Sequence, residues 1–171
     1  NTIDYFPETN TYVTASFDST ARIYDGTGRL IDKLSHGDVV ISAWYSPDGK
    51  HILTASRDST ARIWNPKESK VTILRHDHEV TSATFSHDGK FVLTSSLDSI
   101  VRVWDLNGKA LHTYAHKGDV IAASYSPDDQ RIASISSDHV MTLWNVEGDT
   151  LHKYRHPERI YSVSFSKDGN T

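Results

Sequence analysis

The stretch Ser56-Arg57-Asp58-Ser59-Thr60-Ala61-Arg62-Ile63-Trp64-Asn65 returns forty residues later as Ser96-Leu97-Asp98-Ser99-Ile100-Val101-Arg102-Val103-Trp104-Asp105. Forty residues earlier it stands as Ser16-Phe17-Asp18-Ser19-Thr20-Ala21-Arg22-Ile23-Tyr24-Asp25. Outward from it the same period holds: His36, His76, His116 and His156 are forty apart, and Asp138 and Trp144 continue the Asp and aromatic series. A fixed period of this length marks a repeat architecture, in which one unit cannot bury its apolar face alone. It also limits what any one residue can mean. A catalytic group is needed once, whereas a residue that returns every forty positions belongs to the frame.

Within a repeat the periodicity is that of strands. Residues 39–45, 79–85, 119–125 and 159–165 are equivalent, and each of the first three runs into a tight turn such as Ser46-Pro47-Asp48-Gly49. Proline presets its own φ, the Asp side chain caps the turn, and glycine takes the positive φ that a hairpin needs. Further strands are expected at 51–56, 91–96 and 131–136, then at 60–64, 100–104 and 140–144. A fourth, more polar strand lies near 71–74 or 111–114, after a looser connection through Gly26, Pro66, Gly108 or Gly148. No segment of ten or more residues has helical spacing. Four short strands per forty residues predict an all-β chain of four-stranded antiparallel blades.

These residues resemble the WD40 repeat family. The Ser-x-Asp-x-Thr-x-Arg-Ile-Trp-Asn strand at 56–65 is similar to that family's repeat, as is His36…Val40…Tyr45-Ser46-Pro47-Asp48-Gly49 before it. The resemblance covers the whole chain and implies a β-propeller. Departures are local. Ser35, Arg75, Ala115 and Arg155 stand where the family has the glycine of its Gly-His pair, Tyr24 replaces Trp, Asn65 and Asn145 replace Asp, and Thr142 replaces Arg. The blades are read as 1–35 (short at its start), 36–75, 76–115 and 116–155, with 156–171 holding the first strand of a further blade. Propellers of this family close with about seven blades, roughly 280 residues at this period. An open arc exposes apolar faces and strand edges. The chain is therefore expected to be a piece of a longer protein, or else an arc completed by another chain through self-association.

Composition narrows the function classes. The net charge of -4 offers no footprint for nucleic acid or for an anionic membrane. No apolar run approaches the length of a transmembrane helix, and no signal peptide is visible. The chain has no cysteine, which fits either redox compartment; a cytoplasmic location is the expectation.

Each complete repeat holds a His, a hydroxyl, an Asp and a Trp at fixed offsets: His36–Thr54–Asp58–Trp64, His76–Thr94–Asp98–Trp104 and His116–Ser134–Asp138–Trp144. A hydroxyl beside His and Asp invites a nucleophile-triad reading. The alternative is a chain of hydrogen bonds from indole to hydroxyl to imidazole to carboxylate, in which every buried donor finds an acceptor. The family resemblance implies this structural network too. Three copies, and no Gly-x-Ser-x-Gly elbow, favour the frame, so no catalytic residue is expected and the chain is read as a non-enzyme.

No metal site is expected at His76-Asp77-His78, at His112/His116 or at His152/His156, since the network claims one His of each set. The turn residues Asp48, Asp88, Asp128 and Asp168 bring too few oxygens for calcium. No cofactor is expected. By the resemblance, partners contact the face built from the strand-four-to-one and strand-two-to-three loops. On this chain that face is Phe17, Val39, Ile41, Arg57, Glu79, Thr81, Leu97, Asp119, Ile121, Ser137, Arg159 and Tyr161. The function expected is a protein-interaction scaffold whose partners are other proteins or other domains of the same chain. The alternatives are a self-assembling arc, or an enzyme with one unmatched acid, base or nucleophile in the channel.

Overall fold

A computed structural model describes residues 2–169. They form four four-stranded antiparallel sheets, each built from consecutive strands. Blade 1 is β1 (Ile3–Phe6), β2 (Thr11–Ala15), β3 (Thr20–Asp25) and β4 (Leu30–Ser35). Blade 2 is β5 (Val40–Tyr45), β6 (Ile52–Ser56), β7 (Thr60–Asn65) and β8 (Lys70–Arg75). Blade 3 is β9 (Val80–Phe85), β10 (Phe91–Ser96), β11 (Ile100–Asp105) and β12 (Ala110–Ala115). Blade 4 is β13 (Val120–Tyr125), β14 (Arg131–Ser136), β15 (Val140–Asn145) and β16 (Thr150–Arg155). Blade 1 thus has all four strands, its first only four residues long.

The core lies between blades, as stacked repeats require. Val13, Ala15, Ala21, Ile23 and Leu34 of blade 1 meet Val40, Ala43 and Ile52 of blade 2. Leu53, Ala55, Ala61, Ile63 and Leu74 of blade 2 meet Val80, Ala83, Phe85, Val92 and Trp104 of blade 3. Leu93, Val101, Val103 and Tyr114 then meet Val120, Tyr125, Ile132 and Trp144. Successive residues of a strand point to opposite faces, so Ile52 packs backwards and Leu53 forwards. The first strands of adjacent blades (β5 with β9, β9 with β13) approach one another while the fourth strands diverge, so the blades fan out from an inner edge.

The hairpin turns follow the chemistry of their residues. Gly49, Gly89 and Gly169 have φ of 66°, 71° and 69°, and each N–H donates to the carbonyl of the serine three residues earlier. The Asp48 carboxylate caps its turn, accepting from the Ser46 hydroxyl at 2.7 Å and the Lys50 N–H at 3.1 Å. The turns between second and third strands, Asp-Ser in blades 1–3 and Asp-His in blade 4, use a non-glycine residue at positive φ: Ser19, Ser59, Ser99 and His139.

Residues 159–165 carry no strand ladder, because no second strand lies beside them among the described residues. Their turn nevertheless forms, with Ser166 Oγ donating to Asp168 at 2.7 Å. It also docks as the Gly89 turn does. Gly89 sits over Pro47 of the preceding blade, and a methyl group built on it would lie 3.4 Å from that ring. Gly169 sits over Pro127 at 3.5 Å by the same measure. Ahead of it, Arg131 of blade 4 lies over the Phe165 ring.

Candidate functional site

In blade 2 the four fixed-offset side chains are linked end to end. Trp64 Nε1–H donates to Thr54 Oγ1 at 2.8 Å, and Thr54 Oγ1 lies 2.7 Å from His36 Nε2. His36 Nδ1 lies 3.0 Å from Asp58 Oδ2. Because an anionic carboxylate only accepts, Nδ1 carries the proton and Nε2 accepts from the threonine. Asp58 also accepts from the Gly37 N–H at 2.9 Å, the Thr60 hydroxyl at 2.6 Å and Arg62 Nη2 at 2.9 Å. Burial alone would push this carboxyl up; the bonds from Thr60, Gly37 and His36 outweigh it and hold it at about 2. Burial lowers the His36 imidazole, and the Arg62 charge adds to that against the pull of Asp58.

The other blades alter the chain. In blade 3 Trp104 still donates to Thr94 at 2.8 Å, but no bond joins Thr94 to His76. Ile100 stands where Thr60 supplies a hydroxyl, and Asp98 takes its bond from Arg102 Nη1 at 2.5 Å instead. The same Nη1 lies 2.6 Å from His76 Nδ1, so Nδ1 accepts and Nε2 carries a buried N–H without an acceptor among the described residues. In blade 4 Trp144 and His116 both reach Ser134 Oγ at 2.7 Å, yet no hydrogen bond joins His116 to Asp138 among the described residues. Asp138 turns to the Ser136 hydroxyl and the Val140 N–H, and Thr142 replaces the arginine that holds Asp58 and Asp98. Burial lowers His76 and His116 to about 4 in both blades, so both rings are neutral at pH 7. Blade 1 has no His; Asp18 is bonded by Thr20 and Arg22.

A nucleophile needs a base with a lone pair free to take its proton, beside room for a substrate. The hydroxyls of Thr54, Thr94 and Ser134 are fully buried and accept an indole N–H each, which closes them to substrate. The inner edge of the arc encloses a cavity of about 660 Å³. Its ionisable wall residues include Asp4, which accepts from the Tyr45 N–H at 2.9 Å, and His87, which is bonded to Asp129 at 2.8 Å. Among the described residues no group of three or more His, Asp or Glu is placed to hold a metal ion. No helix among them is long and apolar enough to cross a membrane.

The loop-face residues form a repeated pattern. Arg57 N–H donates to Val39 O at 3.0 Å, Leu97 N–H to Glu79 O at 3.0 Å, and Ser137 N–H to Asp119 O at 2.8 Å. The same backbone staple therefore places a different side-chain pair at the mouth of each blade. Arg57 and Glu79 reach across from blade 2 to blade 3, 3.5 Å apart. Phe17 and Tyr161 are 70% and 77% exposed, the most open aromatics of the set. Val39, Ile41, Leu97 and Ile121 are half-buried, Arg159 is exposed beside the Tyr161 ring, and Thr81 turns inward to donate to Val120 O at 2.9 Å.

One constellation lies outside every repeated motif. His87 replaces the proline of its turn, and Asp129 replaces the glycine of the next blade's turn, with φ of 57°. Where Gly89 stacks on Pro47 and Gly169 on Pro127, here the Asp129 carboxylate accepts from the His87 N–H, His87 Nδ1 and the Asp88 N–H at 2.8–3.0 Å. The paired departure from the repeat, forty-two residues apart, is its only signal in the sequence.

No curated protein matches the chain. The family model described as WD domain, G-beta repeat matches residues 28–65, 68–105 and 108–145, more than half of the sequence. With repeats in register and four stacked four-stranded sheets, the chain belongs to the WD40 repeat family.

Proposed function

We propose that the chain is a non-catalytic scaffold that presents the loop face of Phe17, Arg57, Glu79 and Tyr161 to a protein partner. WD40 repeats in general mediate protein–protein interaction. The observation that carries the proposal is the staple repeated at 39/57, 79/97 and 119/137: one backbone frame holding unlike side chains, with Arg57, Asp119 and Ser137 exposed and Val39, Glu79 and Leu97 half-buried. Aromatic and arginine side chains of this kind dominate binding energy at interfaces. The His–hydroxyl–Asp–Trp sets serve as the frame beneath that face. The blades run over 1–35, 36–75, 76–115 and 116–155, and 156–171 open a further blade, as the docked turn at Gly169 supports.

The test compares partners retained by the native chain and by Phe17→Ala/Arg57→Glu/Tyr161→Ala. A partner lost by the variant, with an unchanged urea midpoint, supports the face; equal retention refutes it. A channel enzyme would need an unmatched acid or base, and of the wall residues Asp4 and His87 already hold structural bonds.

A further inference from the structure

At the outer seam of blades 3 and 4, away from the loop face, lies a pocket of about 250 Å³. Phe91, Val103, Leu111 and Val146 give it apolar walls beside His112 and Gln130. Glu147, Asp129 and Asp88 stand on it as acids, Asp88 already held by the Ser86 hydroxyl and Lys90. Asp129 is spent on the His87 and Asp88 contacts, whereas the exposed Glu147 carboxylate accepts no hydrogen bond and joins no ion pair among the described residues. The wall also carries Tyr125, only 5% exposed, whose hydroxyl has no hydrogen-bond partner among the described residues.

That orphan has a local cause. In blade 2 the equivalent Tyr45 donates its O–H to Thr11 Oγ1 at 2.9 Å, on the preceding blade. The residue equivalent to Thr11 before blade 4 is Phe91, which offers no oxygen. Blade 3 avoids the problem by using Phe85 at the tyrosine position. Blade 4 alone keeps the hydroxyl after losing its acceptor. Buried hydroxyls without partners are rare and need an explanation. The Tyr125 hydroxyl is held un-ionised by burial and by nearby Tyr114, Asp129 and Asp88, so it stays available as a neutral donor and acceptor.

The geometry points to a subsite for an arginine side chain of a protein partner: its methylene stem on Phe91, Leu111 and Val146, and its guanidinium shared between Glu147 and the Tyr125 oxygen. A guanidinium fits because it has five N–H donors and no acceptor, and its stem is apolar. The volume suits one side chain, well below the size of a pocket for a whole small molecule. This rests on reading the chain as an interaction module, but it concerns a different surface.

The experiment titrates the whole chain, labelled for amide NMR, with N-acetyl-arginine methylamide and with its neutral citrulline analogue. Saturable shifts at the amides of Phe91, Leu111 and Val146 are expected with arginine and not with citrulline. Glu147→Gln is expected to weaken binding about tenfold, as for loss of a charge-assisted bond, and Tyr125→Phe about threefold to fivefold. Tyr125→Phe reproduces what blade 3 already uses, so it folds. Equal shifts with citrulline, no shifts, or an unchanged affinity in Tyr125→Phe would overturn the site. The probe needs no protein partner, so such a failure leaves the loop-face proposal standing, and loss of that proposal would leave these shifts intact.

Discussion

Replacing Thr54 by valine removes one oxygen and changes almost no volume, so its effect isolates the hydrogen-bonded chain of blade 2. The Thr54 hydroxyl is fully buried; it accepts from Trp64 Nε1 at 2.8 Å and donates to His36 Nε2 at 2.7 Å. Thr54→Val strands one donor and one acceptor, and each loses about 1–3 kcal/mol of compensation. The expected loss is about 2–6 kcal/mol. Thr94→Val in blade 3 is the internal control, because there the hydroxyl accepts from Trp104, makes only a long 3.5 Å bond to the Arg102 carbonyl besides, and His76 Nε2 is already without a partner among the described residues. It strands one group and is expected to lose about 1–3 kcal/mol. Both are measured by urea unfolding followed by tryptophan fluorescence, and the midpoints are compared at unchanged slope. Equal losses in the two blades, or a neutral Thr54→Val, would refute the assignment of the complete chain to blade 2.

Acid should act before the carboxylates titrate. His76 and His116 are lowered from 6.5 to about 4, so the unfolded chain binds protons that the folded one refuses between those values. Their stabilising contribution is full above pH 6.5 and is lost as pH falls towards 4. A tenfold change in proton affinity corresponds to about 1.4 kcal/mol, so the limit is about 3 kcal/mol per ring, less for the partly exposed His116. Urea midpoints flat from pH 7 down to 4 would contradict this. Ser59→Gly relieves a serine at φ of 64° and is expected to raise stability by about 0.5–1 kcal/mol in thermal melts. His87→Pro and Asp129→Gly, which together install the proline–glycine stack seen at Pro47/Gly89 and Pro127/Gly169, are each expected to destabilise alone and to compensate in the double variant. A double-mutant cycle with no coupling would show that the two turns do not act as a pair.

Most of the fold was legible because the repeat states it several times over. Strand spacing, the Ser-Pro-Asp-Gly turns and the Asp-Ser turns each recur, and each is local chemistry. The first strand of blade 1 was harder to read: its turn runs Pro7-Glu8-Thr9-Asn10, with the positive φ on Asn10 in place of a glycine. What periodicity cannot express is the consequence of a substitution inside a copied network. Ile100 for threonine and Thr142 for arginine look like minor variation along the chain. In space the first accompanies a loss of the Thr94–His76 bond and the second a loss of the His116–Asp138 bond. The His87–Asp129 clamp and the orphaned Tyr125 hydroxyl both arise between blades, where two departures from the repeat meet and no single repeat records them.

The most direct test of the scaffold reading is a hydrogen-exchange footprint of the chain with its captured partner bound. The account predicts new protection at the loop face, around residues 36–41, 57–59, 76–81, 97–99, 116–121 and 137–139. Protection confined to the opposite turns at 46–49, 86–89 and 126–129, or to the outer strands β8 and β12, would contradict it.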